Sequence, residues 1–384
     1  MKLLHTGDWH VGKTLSRRSR IDESRQVLDE LAALATAEQV DVMLVTGDVF
    51  DQLSPSPDAE AAVYDALVEF ERQQIPVAVI AGNHDHAHRW RALEPLLARF
   101  AIHVIPEPRR PEAGGIVEIR SRDGSTSMQI AALPWVPINR LVEVQDVLGL
   151  AEEPFQAYTT EMSRILAALC HAFDPAKCNV LVGHFYVSGA VPSGSERPLS
   201  IGELYAVTPQ AVPVSPQYVA LGHVHKPQKV PGVAVPARYA GSLLQLDFGE
   251  VGQEKSVVLV DLEPGKPAQV RQIALSGGRR LRDIRGTLDQ LAAHADGSDD
   301  FLRVVLECDS PQPGLGDAVR DLLPNALQVT LDYPREEVER EVPDLRTLKP
   351  RELFSRFYSE RHAAEPEKEL LDLLDELLDE VTRA

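Results

Sequence analysis

Five short runs of apolar, mostly β-branched residues share one ending, a Gly followed by a polar side chain able to bind a metal. They read KLLHTG before Asp8, DVMLVTG before Asp48, PVAVIAG before Asn83, NVLVG before His184 and YVALG before His223. Strands that are apolar throughout are buried on both faces, so the pattern predicts a layered α/β core with helices covering sheets. Gly7, Gly47, Gly82, Gly183 and Gly222 are expected to let the chain turn sharply at the strand ends. Ligand sites on α/β sheets commonly lie at such ends.

Between the runs, apolar residues recur at three- and four-residue spacing, as at Val63, Leu67 and Phe70, which predicts helices over 22–39, 57–74, 89–100 and 155–173. A β-rich stretch follows, with strands expected over 238–247, 256–261 and 269–274, the last two joined by the turn Glu263-Pro264-Gly265-Lys266. After Gly277-Gly278 the order helix (287–294), strand (302–308), helix (315–323), strand (326–332) predicts a compact α/β module. Beyond Pro343 come two helix candidates, 349–362 and 365–383, broken at Ala363-Ala364. The second gathers Leu370, Leu371, Leu373, Leu374, Leu377, Leu378 and Val381 on one broad stripe opposite acids, the form of an intramolecular clasp or of a surface for a partner helix. The expected division is therefore 1–276, 277–342 and 343–384. No repeat period points to a solenoid.

A chain of 384 residues has room for two or three domains. No apolar run approaches the roughly 18 residues that cross a bilayer, and Met1-Lys2 leads directly into a strand rather than a secretory leader, so export is not expected. Three cysteines, Cys170, Cys178 and Cys308, with no C-x-x-C pair, suit a reducing cytoplasm and read as packing residues. The net charge of −19 is the opposite of a nucleic-acid footprint. It is unevenly spread, however: Lys13, Arg17, Arg18 and Arg20 form one basic cluster, Arg279, Arg280, Arg282 and Arg285 another, and the tail from Glu365 is acidic. Both clusters are candidates for phosphate contacts.

The polar residues at the strand ends are Asp8-x-His10, Asp48-x-x-Asp51, Asn83-His84-Asp85, His184 and His223-x-His225. Carboxylates, an amide oxygen and imidazoles without thiolate suit Mn²⁺, Fe or Zn²⁺, with enough ligands for two ions. In extended chain, residues two apart point the same way, which would converge Asp8 with His10 and His223 with His225, while Asn83 and His84 diverge. Two adjacent cations need a shared anion, and Asp48, central in the series, is the expected bridge. Water acidified by such ions attacks phosphorus in line. His84 is the expected donor to the leaving oxygen, with Asp51 orienting it. The histidines that follow, His86 and His88, read as exposed loop residues or spare ligands.

These motifs, with Gly183-His184-Phe185-Tyr186-Val187, Ser193-Gly194-Ser195-Glu196-Arg197-Pro198-Leu199, Gly222 to Gln228 and Tyr239-Ala240-Gly241-Ser242, resemble the calcineurin-like metallophosphoesterases. More narrowly they resemble the bacterial nucleases that work with Rad50-type ATPases. The resemblance implies a layered αββα sandwich with a smaller α/β capping module that helps place DNA, and C-terminal helices that bind the coiled-coil base of the ATPase. It implies one ion held by Asp8, His10, Asp48 and His225 and a second by Asp48, Asn83, His184 and His223, Mn²⁺ as activator, and a homodimer formed by helices, here 57–74 and 89–100. The implied activity is exonuclease and single-strand or hairpin endonuclease action in DNA break repair. A phosphatase acting on a small molecule or phosphoprotein is the alternative. Gln52 stands where protein phosphatases carry a clamping Arg, and Phe50 where purple acid phosphatases use Tyr. A metal-free scaffold of the same fold is a third reading, although no ligand position is missing.

Overall fold

The structure, a computed structural model, describes residues 1–148, 158–196, 205–295, 297–334, 350–362 and 365–383. The beginning of the helix expected from Phe155, the Arg197-Pro198-Leu199 stretch, the boundary at 343 and the break at Ala363-Ala364 lie outside the described residues. Two compact units divide the chain, Met1–Asp332 and Tyr333–Ala384.

The first unit is built on two six-stranded sheets. One runs Gln269–Ala274, Ser256–Asp261, Lys2–Thr6, Val42–Val45, Val77–Ile80, Ile102–Ile105; the other runs Gln228–Lys229, Ala237–Tyr239, Tyr218–Gly222, Cys178–His184, Ser127–Leu133, Ile116–Arg120. The central strands pair in parallel in both sheets. Their unbroken apolar runs follow from the layering, because successive side chains point to opposite faces. Leu3, Val42, Leu44, Ala78 and Ile80 meet Val180, Val182, Tyr218 and Ala220 of the second sheet. The alternating Leu4, Met43, Val45, Val77 and Val79 pack instead against the helices Ile21–Ala37, Pro57–Arg72 and Ala87–Leu97. The outer face of the second sheet is covered by Leu141–Leu148 and Tyr158–Cys170. The layers are thus αββα, as the resemblance implied.

The chain from Leu281 forms a three-stranded parallel sheet, Leu281–Gly286, Phe301–Glu307 and Ala326–Asp332, with helices Leu288–Ala292 and Leu315–Leu322. It has its own apolar core around Ile284, Leu302, Val304, Leu306 and Val319. A separate apolar cluster of Leu15, Phe248, Leu281 and Phe301 joins it to the sandwich. The strand expected over 238–247 stops at Tyr239. Gly241 (φ +80°) sits where a Cβ would meet the His225 carbonyl and Pro227, so the chain turns back there.

In the second unit, Pro350–His362 and Lys368–Arg383 are helical, and Arg351 pairs with Asp372 and Asp375 between them. Leu373 and Leu377 stand about half exposed on the second helix. Among the described residues, no helix is long and apolar enough to cross a membrane.

Candidate metal centre

The strand-end residues of both sheets meet at one place. Asp8, His10, Asp48 and Asn83 follow strands of the first sheet, while His184 closes Cys178–His184 and His223 and His225 follow Tyr218–Gly222 of the second. Their convergence does not come from extended chain. Asp8 (φ +49°), His10 (+45°), Asp48 (+49°) and His223 (+97°) all lie beyond their strands in left-handed backbone. The glycines also act differently from expectation. Gly47 alone of the five has positive φ (+92°). At Gly7, Gly82, Gly183 and Gly222 the need is close approach, since a Cβ would strike Thr46, Asp48, Phe185 and the Thr46 carbonyl respectively.

Asp8, His10, Asp48 and His225 form one buried group whose donor atoms lie within 4.8 Å of one another, and Asp48, His184 and His223 form a second. His10 Nε2 lies 3.1 Å from His225 Nε2 and 3.6 Å from Asp48 Oδ2. Asp48 Oδ2 lies 3.5 Å from His184 Nε2, so one carboxylate serves both groups. Asn83 Oδ1 completes the second group, 3.0 Å from His184 Nε2 and 2.9 Å from His223 Nδ1.

The donor chemistry fits cations. His184 Nδ1 lies 2.7 Å from the Thr46 carbonyl and must donate to it, so a neutral ring turns the Nε2 lone pair toward the Asn83 oxygen. A cation between the two reconciles them; otherwise a proton must. Burial opposes charge on His184, yet the Asp48 carboxylate wins and raises it to about 9. Burial also opposes charge on Asp48, but His184 and His10 hold it well below the ordinary carboxylate range. Asp8 is pushed up to about 7 by burial, against the pull of His184. A buried set that draws positive charge to His184 beside an ionised Asp48 suits a bound cation.

His84 stands beside this cluster, its ring 4.7 Å from that of His10. Its backbone N–H donates to Asp48 Oδ1 (2.8 Å), and its Nδ1 lies 2.7 Å from the backbone carbonyl of Asp51. The orienting contact expected of Asp51 is made by its backbone, whose carbonyl faces His84. The Asp51 carboxylate lies 3.5 Å from His10 Nδ1 and 3.3 Å from Lys13 Nζ, and its donor oxygen groups with ring nitrogens of His10 and His84 within 4.8 Å. Asp85, quoted in the motif without a role, accepts from the backbone N–H groups of Val49, Phe50 and Gly82 and so ties two ligand loops together.

Of the basic residues singled out, Arg20 is buried. It pairs with Glu23 and donates to the Gln245 carbonyl, which removes it from the surface set. Arg17, Arg18 and Arg280 are exposed. The Arg279 guanidinium lies 4.9 Å from the Phe301 ring, Arg282 lies 3.5 Å from Asp300, and Arg285 pairs with Glu307 and Asp332. His86 is exposed and caps the helix Ala87–Leu97, and His88 lies 3.8 Å from Glu107. Neither joins the ligand groups. Two features escaped the sequence reading. Trp135 stacks on His223 (5.1 Å) and on Tyr205 (5.3 Å), and Ser195 and Glu250 stand behind His225. Ser195 lies in a quoted motif; nothing in the sequence marks Trp135 or Glu250.

The description "Calcineurin-like phosphoesterase" matches residues 1–227, more than half of the chain, and the chain belongs to that family. Within it, the chain falls among the SbcD proteins. It is 31% identical to the SbcD component of the SbcCD nuclease of Bacillus subtilis (strain 168), over 98% of this chain and 97% of that protein. It is 33% identical to the protein of the same description from Rhodobacter capsulatus, over 92% and 94%. The counterpart from Staphylococcus epidermidis is 27% identical over 76% and 74%. Residues 278–362 match a second family, "Type 5 capsule protein repressor C-terminal domain".

Proposed function

We propose that the protein is a metal-dependent DNA nuclease that works with an SbcC/Rad50-type ATPase. The observation that carries the reading is the His84 ring set beside two buried ligand groups that share Asp48, in a chain that follows the SbcD component of SbcCD nucleases over nearly its whole length. Asp8, His10, Asp48 and His225 would hold one divalent ion and Asp48, Asn83, His184 and His223 the other, with Mn²⁺ the proposed occupant. Such ions offset charge on phosphate oxygens and acidify water. The chain's own residues do the rest. His84, held at Nδ1 by the Asp51 carbonyl and at its backbone by Asp48, offers Nε2 to the leaving oxygen as proton donor. Asp85 keeps the Asp48 and Asn83 loops in mutual register.

Lys13, Arg17 and Arg18, with Arg279, Arg280 and Arg282, are the proposed backbone contacts to DNA. Given the charge of −19, this protein alone binds DNA weakly and the ATPase supplies further attraction. Residues 343–384 are the proposed ATPase-binding segment, and the helices Pro57–Arg72 and Ala87–Leu97 the proposed homodimer contact. The phosphatase alternative gains nothing from Phe50, whose ring stacks in the core on Trp90 at 5.8 Å. The test is cleavage of circular single-stranded DNA by the purified chain with Mn²⁺, beside p-nitrophenyl phosphate and His84→Ala. DNA cutting that disappears in the variant supports the nuclease. Monoester turnover with intact DNA overturns it.

A further inference from the structure

His225 is held more tightly than any role as a simple ligand demands. Its backbone N–H donates to Glu196 Oε1 (3.0 Å), a carboxylate that also accepts from Ser193 and Gly194 N–H. Its carbonyl accepts from Lys255 Nζ (3.0 Å). On the ring, Nδ1 lies 2.6 Å from Ser195 Oγ, and Ser195 Oγ is hydrogen-bonded in turn to Glu250 Oε1. Glu250 is fully buried, and its second oxygen accepts from Lys255 Nζ (2.7 Å) and Leu246 N–H (2.9 Å).

Proton counting fixes the direction of this chain. An ionised Glu250 has only acceptors, so the single hydroxyl proton of Ser195 points to it. The Ser195 lone pair then accepts Nδ1–H from His225, which leaves the Nε2 lone pair facing His10 and Asp48. We propose that Ser195 and Glu250 are a positioning pair for the first ion site, fixing the His225 ring and its tautomer so that Nε2 is the ligand atom. The inference rests on the reading of Asp8, His10, Asp48 and His225 as an ion site. The second site has no such relay on His184, whose Nδ1 meets the neutral Thr46 carbonyl. The relay is also electrically balanced, because Lys255 offsets Glu250. Its effect is orientation rather than added negative charge, in the range of about 10–100-fold in metal affinity typical of groups behind a ligand.

The test is Mn²⁺ binding to the full chain by calorimetry, with Mn(II) electron paramagnetic resonance to distinguish single from coupled ions. Wild type, Ser195→Ala and Ser195→Thr are compared, and melting of each metal-free protein serves as the folding control. The expected result is two ions in wild type and a loss of about 10–100-fold at one site only in Ser195→Ala. The coupled spectrum then gives way to a single-ion spectrum at limiting Mn²⁺. Ser195→Thr, which keeps the hydroxyl, restores both. Wild-type affinity at both sites in Ser195→Ala overturns the inference and leaves the nuclease reading standing. Equal losses at both sites, unrepaired by Ser195→Thr, also overturn it. A wild type that binds no pair of ions sinks the underlying reading and the inference together.

Discussion

Replacing His5 with Gln should remove a pH dependence that the neutral core imposes on the whole sandwich. His5 is fully buried between the two sheets. Its Nδ1 lies 2.9 Å from the Tyr218 hydroxyl and its Nε2 3.2 Å from the Leu221 carbonyl. The neutral ring satisfies both, donating from Nε2 and accepting at Nδ1; a second proton has no acceptor unless Tyr218 turns away. Burial lowers the His5 pKa from 6.5 to about 3, despite the favourable Leu221 carbonyl. The unfolded chain therefore takes up a proton as pH falls through about 6.5, while the native chain does not until about 3. This group leaves stability untouched above that window and erodes it on acidification, by about 1.4 kcal/mol per pH unit. Between about pH 7.5 and about pH 4.5 the loss is about 2.7 kcal/mol. The assay is urea unfolding across that range in a chelator, for wild type and His5→Gln. The stability difference between the two proteins should shrink by about 2.7 kcal/mol toward the acid end. Parallel pH profiles would refute the reasoning. The effect bears on function because His5 ties the sheet that carries Asp8 and Asp48 to the sheet that carries His184 and His223.

Arg20→Ala should act on stability and not on a DNA-contacting surface: it strips the partner from the buried Glu23, at about 3–5 kcal/mol, read by thermal unfolding. Arg17→Ala and Arg18→Ala, at exposed positions, should leave unfolding unchanged and weaken DNA binding in low salt, read by titration with labelled DNA. Asp85→Asn sets an amide against three backbone N–H donors and should destabilise the fold by about 2–3 kcal/mol, with Mn²⁺ affinity falling in parallel in calorimetry. Deleting residues 343–384 should spare metal-dependent hydrolysis and abolish pull-down of the ATPase; retained pull-down removes the proposed interface.

What could be seen in advance depended on where the signal is stored. Ser256–Asp261, Gln269–Ala274 and Ala326–Asp332 match expectation residue for residue, and the helices over 21–37 and 57–72 do so within two residues, because apolar periodicity and burial coincide there. Leu281–Gly286 was missed because its buried apolar residues, Leu281 and Ile284, are three apart among charges and hide the strand period. Ile116–Arg120, an edge strand with only Ile119 buried, shows too little apolar contrast. The ligand types were legible because each sits at a strand end or within a few residues of one. Trp135 and Glu250 were not, since they reach the site through packing of segments far away in the chain. Arg20 misled for the same reason: Arg17, Arg18 and Ser19 before it are exposed, but the Gln245 carbonyl and Glu23 enclose it.

The left-handed backbone at Asp8, His10, Asp48 and His223 has a consequence for how such a protein drifts under selection. Each of these non-glycine residues sits in a conformation that costs about 1 kcal/mol or more for an L side chain. The strain sits at the ligands themselves, so the site is built at the expense of fold stability. Glycine at any of the four relieves the strain and discards the ligand. A screen that rewards heat resistance alone should therefore admit Asp8→Asn or Asp48→Asn before any β-branched residue, since Asn tolerates this backbone and still accepts the His223 or His84 N–H but gives up the charge that holds an ion. Only a requirement for turnover keeps the less stable sequence in place.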